Sequence, residues 1–454
     1  MRGIALLIIF FTAFPFIFIS GPFWGILMWF WVSLMNPQQE VWGNFAGIPY
    51  ALLVAVATLL AWLLSPREPK APPLDRTTVL LVLLGFWVTV TSLFGTGPAD
   101  QIYYKWQIGE KMLLMTIVAY TLTTTRQRLD QVIIVCSLSV AFYGAKGGLF
   151  SLRTGGAHQV FGPENSMIGD NNDLGVALTM MLPLLFYLRE RYGQLRLGRY
   201  GQLRLKWPIL ILIGLTFLGD VFTYSRGALV ALCAVGVMLW WRSRQKVAMG
   251  MLIAIAAFGV WSFAPPEWFD RMATIETYQQ DASAEGRLYF WKLSWAMALK
   301  RPITGGGFQW SFDPVSANQL LRDSGLPPLT KPRAPHSNWF EMLGNHGFVG
   351  LAIYLAIIIS AAMNTRWLVR HSRKDPELLW ANTLGRVAQA SLIGYCAGGS
   401  FATHGMYDGF YAVVIIIAAA RRIVAAELAA RAPATARAVP YPQLRPAFKP
   451  QPTG

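Results

Sequence analysis

Apolar residues run along this chain in long unbroken blocks rather than in stripes of helical or strand period. Thr77–Phe94, Ile209–Leu218, Ala228–Trp241, Val247–Phe263, Phe348–Met363 and Tyr411–Ala420 are such blocks. The longest, about 18 residues without a charge, matches the thickness of bilayer hydrocarbon, where only a helix satisfies its own backbone. The pattern predicts an all-α polytopic membrane protein of about 12 or 13 transmembrane helices. Arg2 and the apolar run to Ile19 imitate a signal peptide. No small-residue cleavage site follows and a second run, Phe23–Met35, begins almost at once, so the first run is expected to be retained as a span.

Composition agrees. Of 454 residues, 54% are hydrophobic and 14% charged, where a soluble domain would carry roughly a quarter charged. Cys136, Cys233 and Cys396 all fall inside apolar blocks, which suggests neither a disulfide framework nor a cysteine metal site. The net charge of +16 is distributed by topology. Alternate loops, from Arg67–Arg76 through Arg126–Arg128, Arg189–Lys206, Arg242–Lys246 and Arg366–Arg386 to the tail, hold 25 of the 39 Lys and Arg. The opposite loops hold 5, setting aside Arg2 and the long segment Pro265–Met342, since loops beyond roughly 60 residues escape the positive-inside rule. The basic set is therefore expected in the cytoplasm and the long loop outside. Charge does not settle the first two runs, because Ser20-Gly21-Pro22 between them is neutral. Such a distribution explains the positive charge without a nucleic-acid partner.

Four units follow: an N-terminal transmembrane bundle over 1–264, an outer loop over 265–342, C-terminal helices over 343–420, and a tail over 421–454 expected to be disordered near anionic membrane lipids. Arg191–Leu197 and Arg199–Leu205 repeat Arg-Tyr-Gly-Gln-Leu-Arg-Leu. The repeat reads either as a tandem duplication in a tolerant cytoplasmic loop or as a patch for a cytoplasmic partner or lipid headgroups.

Candidate chemistry collects on the outer side. Arg226, in Tyr224-Ser225-Arg226-Gly227-Ala228, sits at the mouth of a tight helical hairpin against the charge bias, so it should meet an anion. A snorkelling arginine, or one paired with Asp220, is the structural alternative. In the long loop, Arg271-Met272-Ala273-Thr274-Ile275 leads to Asp281-Ala282-Ser283-Ala284-Glu285-Gly286-Arg287. Gly286-Arg287 is expected to open a helix, which would put a guanidinium beside free backbone N–H groups, an anion pocket. That helix could instead lie on the membrane, with Tyr289, Trp291 and Trp295 turned down. Gly305–Gly307 is too generic to be a phosphate loop. His336, in Ala334-Pro335-His336-Ser337-Asn338-Trp339-Phe340-Glu341, could take a proton from a hydroxyl near pH 7. His346 and His404 compete for that role, and spacing does not rank the three. Asp170-Asn171-Asn172-Asp173 is expected to cap the span that starts at Leu174. No residue set demands a metal.

In sequence order, Ser-Arg-Gly at a hairpin, Gly-Arg-x3-Trp, Pro-x2-Gly-x-Gly and Pro-His-Ser-x2-Phe-Glu-x-Leu-Gly-x-His-Gly-x-x-Gly resemble the O-antigen ligase superfamily. Pro22-Phe23-Trp24-Gly25 to Asn36-Pro37, and Gly162–Asn172, resemble most the O-glycosylation ligases associated with the exosortase A system. The resemblance extends to about Ala420. It implies a helical membrane glycosyltransferase of GT-C-like architecture, with a large periplasmic loop over its catalytic cavity in the inner membrane. The implied donor is an undecaprenyl-diphosphate-linked glycan, used without metal or cofactor. Arg226 and Arg287 match the family's diphosphate-binding arginines and His336 its base. Many members carry His-Asn where this chain has His336-Ser337, with Asn338 next. The acceptor needs only a hydroxyl, on protein, lipid or glycan. A polysaccharide polymerase of the same superfamily would use the same residues. A lipid-linked glycan flippase would instead show repeated halves and mid-membrane ionisable groups, which this sequence does not.

Overall fold

A computed structural model describes residues 2–41, 47–193, 195–196, 202–203, 205–243, 245–273, 282–327 and 333–431. Thr274, Ile275, Asp281, most of the tandem repeat and the tail beyond Arg431 lie outside them. Among the described residues the chain is helical, apart from an antiparallel pairing of Leu195–Arg196 with Gln202–Leu203 inside the repeat.

The first apolar run forms two helices, α1 (Arg2–Ala13) and α2 (Phe16–Ile19), broken at Pro15, whose missing N–H cannot continue the ladder. Then come α3 (Pro22–Met35), α4 (Tyr50–Leu64), α5 (Arg76–Leu93), α6 (Ala99–Leu122), α7 (Arg126–Thr154) and α8 (Asn171–Tyr192). A hairpin of α9 (Lys206–Val221) and α10 (Arg226–Arg242) precedes α11 (Lys246–Phe263). The long segment contributes α12 (Pro266–Ala273), α13 (Ala282–Lys300) and α14 (Pro314–Ser324). The chain closes with α15 (Asn338–Ser372), α16 (Leu379–Gly398) and α17 (Asp408–Arg431). The last of these continues as helix past the expected boundary at 420.

Four helices, α5, α7, α11 and α15, are long and apolar enough to cross a membrane, and shorter apolar helices occupy 3–19, 22–35 and 50–64. Other expected spans are shorter or more polar, and several of these form the centre. Every residue of α17 from Gly409 to Ala420 is buried, as is nearly all of α8 from Leu174 to Leu185. At the opposite extreme α11 has no buried residue, with Val247, Ile255 and Trp261 about two-thirds exposed or more. A helix apolar on every side and packed on few has lipid as its solvent. The tightest inner contact joins α7 to α9, where a Cβ at Gly148 or Gly219 would run into the backbone of Leu215 or Gly144. Small residues let membrane helices approach this closely.

The basic loops converge on one end of the bundle. Arg128 pairs with Glu68 at 2.5 Å, Arg422 donates to the Thr123 carbonyl at 2.7 Å, and Arg431 reaches Asp375 at 2.6 Å. A cleft at this end is lined by Ser20–Pro22 together with Pro66–Pro69, Thr124, Thr125 and Arg128. The uncharged turn thus sits with the basic loops, an arrangement that packing reveals and charge counting does not. The other end gathers the starts of α8, α10 and α15.

Near that end α15 is kinked at Gly347, which has φ 67° and ψ −171°, a conformation essentially reserved for glycine. The strap Pro302–Gly307 fills the kink. Phe348 N–H donates to the Pro302 carbonyl at 2.8 Å, and the Gly306 and Gly307 N–H groups donate to Gly344 and Asn345 at 2.9 Å. The glycine run therefore spends these amides on packing. A Cβ at Gly347 would overlap the Ile303 carbonyl. Gly347→Ala is expected to destabilise the protein by at least about 1–3 kcal/mol, read as a lowered unfolding temperature in detergent; an unchanged transition would refute this reading of the kink.

Candidate active site

The end remote from the basic loops is organised by three local devices. At the first, Ser225 caps α10: its Oγ accepts from Ala228 N–H at 3.1 Å and donates to Asn172 Oδ1 at 2.9 Å. Asn171 Nδ2 donates to the Thr223 carbonyl at 2.7 Å, so the hairpin is bolted to the start of α8. Arg226 is the first residue of α10 and is buried. There its guanidinium shares the positive pole of the helix, where an anion is favoured. Asp220 accepts instead from Thr179 Oγ1 at 2.7 Å, and among the described residues no ion pair joins it to Arg226.

The second device is α13. It starts at Ala282, so Gly286-Arg287 lies in its second turn and not at its start as expected. Ala282-Ser283-Ala284-Glu285 propagates a helix readily, with an acid in the first turn that suits the dipole. The free N–H groups belong to that first turn, so Arg287 contributes charge without them. Its charge acts on both His336 and Asp173.

The third is the turn before α15. His336 is held at φ 45°, a left-handed conformation uncommon outside glycine but tolerated best by Asn, Asp and His. Trp291 Nε1 donates to the Pro335 carbonyl at 2.8 Å and its ring stacks on Phe340. Asn338 N–H donates to the Gly399 carbonyl at 2.7 Å. Burial, then the charge of Arg287, holds the His336 imidazole below its usual range, against an opposing pull from Asp170. It is therefore neutral at pH 7, and its buried Nδ1 takes no hydrogen bond among the described residues.

The segment 399–407 joins these devices. Asn338 Oδ1 accepts from His404 N–H at 2.6 Å, Glu341 Oε2 from Gly405 N–H at 3.0 Å, and Asp173 Oδ1 from Thr403 N–H at 3.3 Å. A Cβ at Gly227, beside Arg226, would strike Phe401. Asn338 is thus committed to this segment, and neither it nor Ser337 bonds the ring of His336 among the described residues.

The competing histidines now separate. His346 is a core residue: its Nδ1 lies 2.6 Å from Thr91 Oγ1 and its ring meets Phe308 edge-on. His404, the other competitor, stands next to Thr403 of the cavity wall. It is buried, with Nε2 3.1 Å from the Met167 carbonyl and 3.5 Å from Asp173 Oδ1. Burial pushes it down to about 4, so it too is neutral at pH 7, and it is tied to its neighbours where His336 is not.

A cavity of about 260 Å³ opens beside Ala334–Pro335, with Lys105, Asp173, Trp310, Glu341 and Thr403 in its walls. Asp173 had the appearance of a helix cap, and Asp170 does fill that role, accepting from Asn172 N–H at 2.8 Å. Lys105 carried an unread signal: like Arg226, it is one of the few basic residues set against the charge bias. Glu341 stood in the His336 motif without a role.

No curated protein matches the chain. Residues 1–193 match a family of unknown function (DUF5935). Residues 209–355, which hold Arg226, Arg287 and His336, match the O-antigen ligase family, and that match supports a membrane enzyme of the ligase or polymerase type.

Proposed function

We propose that the protein is a glycan ligase, transferring a glycan from an undecaprenyl-diphosphate-linked donor to an acceptor hydroxyl at the periplasmic face of the bacterial inner membrane. The observation that carries this is a neutral imidazole, His336, under the charge of Arg287 and next to Ala334–Pro335 of a cavity wall, with Gly227, the neighbour of Arg226, packed on Phe401 of segment 399–407. His336 takes the acceptor O–H proton as that oxygen bonds the anomeric carbon. The bond from that carbon to the diphosphate oxygen breaks on the opposite face, and the diphosphate leaves with the electron pair, so configuration inverts. Arg226 and Arg287, always protonated, neutralise the leaving group in place of a metal. On Pro22–Gly25 and Gly162–Asn172 we further place the chain in the exosortase-associated branch.

Purified protein given a lipid-diphosphate glycan and an acceptor is expected to keep its activity in excess EDTA and to yield the inverted anomer. Loss of activity that Mg²⁺ or Mn²⁺ restores would sink the two-arginine account.

The same reading puts 265–342 in the periplasm as a catalytic loop and the basic loops in the cytoplasm. Ser324 and Lys374 are both exposed, and serve as reporters once Cys136, Cys233 and Cys396 are replaced. In intact spheroplasts an impermeant thiol reagent is expected to label Ser324→Cys but not Lys374→Cys. The reverse pattern would overturn the orientation.

A further inference from the structure

The cavity beside Ala334–Pro335 has two carboxyl groups in its wall and none of Arg226, Arg287 and His336. Asp173 and Glu341 each give one oxygen to a backbone N–H of the 403–405 segment. The second oxygen of each takes no hydrogen bond among the described residues. Two carboxyl groups facing the same space are matched to hydroxyl groups, which can both donate to them and accept from them. Residues able to donate share the lining: Lys105, whose charge acts on Glu341, Gln309, and Thr403, whose Oγ1 is buried and without a partner among the described residues. The indole of Trp310 closes the wall. At about 30 Å³ per water the volume equals roughly nine waters, the bulk of one pyranose ring with its hydroxyls. Polar groups able both to donate and to accept, beside an aromatic face, fit a ring with equatorial hydroxyls and an apolar C–H face.

We propose that this cavity is a subsite for a single neutral pyranose residue, with Asp173 and Glu341 as the acceptors that read its hydroxyls. The inference rests on the ligase reading above. Two sources offer that ring: the sugar attached to the donor diphosphate, and a sugar at the end of a glycan acceptor.

The full-length protein in nanodiscs distinguishes them through equilibrium binding of three probes: a short-chain prenyl diphosphate, the same lipid carrying one hexose, and a methyl hexopyranoside. Binding of the bare prenyl diphosphate that falls in Arg226→Ala and Arg287→Ala tests the ligase reading; its absence from wild type would sink that reading and leave the subsite to be judged on the pyranoside alone. The subsite is judged on Glu341→Gln, which keeps an acceptor for Gly405 N–H, and on Gln309→Ala. If the ring belongs to the donor, the hexose tightens lipid binding and both variants cancel that gain, by about tenfold or more, with bare lipid unaffected. If it belongs to the acceptor, pyranoside binding falls by the same factor while both lipids bind as before. If neither hexose-dependent binding changes in either variant, the subsite is refuted.

Discussion

Replacing His336 by alanine is expected to lower glycan transfer by roughly 10²–10⁴-fold, the usual worth of general-base assistance, while donor binding stays near wild type. The split follows from placement. In the proposed mechanism His336 meets the acceptor proton, whereas the charges that would hold a diphosphate belong to Arg226 and Arg287. The histidine also sits at φ 45°, a conformation alanine tolerates less well, so His336→Ala carries a backbone cost besides the loss of the base. Asn, which accepts the same backbone geometry but removes no proton at neutral pH, is the control for shape. His336→Asn should be as slow as His336→Ala and should fold at least as well. His346→Ala is expected to report on stability, since its ring fills a core position between Thr91 and Phe308. Transfer at the wild-type rate in His336→Ala, with His404→Ala folded and inactive, would move the base to the other histidine.

The second large effect is expected at Arg287, and it has a signature in pH. Arg287→Ala should weaken donor binding and also lower turnover, by about 10²–10³-fold if it stabilises the departing diphosphate as a fixed charge does elsewhere. Arg287→Lys should recover only part, because an ammonium keeps the charge and loses the paired N–H fork. The base must be unprotonated to act, so activity falls as pH drops through the pKa of His336. Burial and Arg287 hold that pKa below 6.5, which puts the acid limb of the pH–rate profile below pH 6.5. Removing Arg287 removes one depressing cause, so the limb should move to higher pH in Arg287→Ala. Asp170 pulls the other way, and Asp170→Asn, which keeps a good helix cap, should move the limb lower. A limb that stays fixed in both variants would dissociate His336 from the rate.

How much of this was legible in the chain depends on what each feature is made of. Apolar blocks became helices close to where they lie, Thr77–Phe94 as Arg76–Leu93 and Val247–Phe263 as Lys246–Phe263, because run length against hydrocarbon thickness is a local criterion. Arg226 could be singled out since it breaks a charge rule that its neighbours obey. Arg287 was singled out on a mistaken premise: the helix begins four residues before Gly286, among residues of higher helix propensity. The side of the first turn was invisible, since Ser20-Gly21-Pro22 has no charge and only its packing beside Pro66 and Thr124 places it. The three histidines could not be ranked because burial and partners are long-range properties. Thr91 lies far along the chain from His346, and Met167 far from His404.

Segment 399–407 has a consequence for modularity. The O-antigen ligase match ends at 355, yet the backbone donors that hold Asn338, Glu341 and Asp173 come from Thr403, His404 and Gly405, and Asp173 itself lies in the span matched by the other family. The candidate site is therefore shared among three stretches of chain that family boundaries separate. A gene fusion or domain exchange cut at 355 would carry all three candidate catalytic residues into the hybrid and leave behind the clasp that gives them their geometry. Recombination that preserves activity should instead break the chain before Asp170 or after Tyr407, which keeps Asp173, Asn338, Glu341 and their backbone donors in one parent.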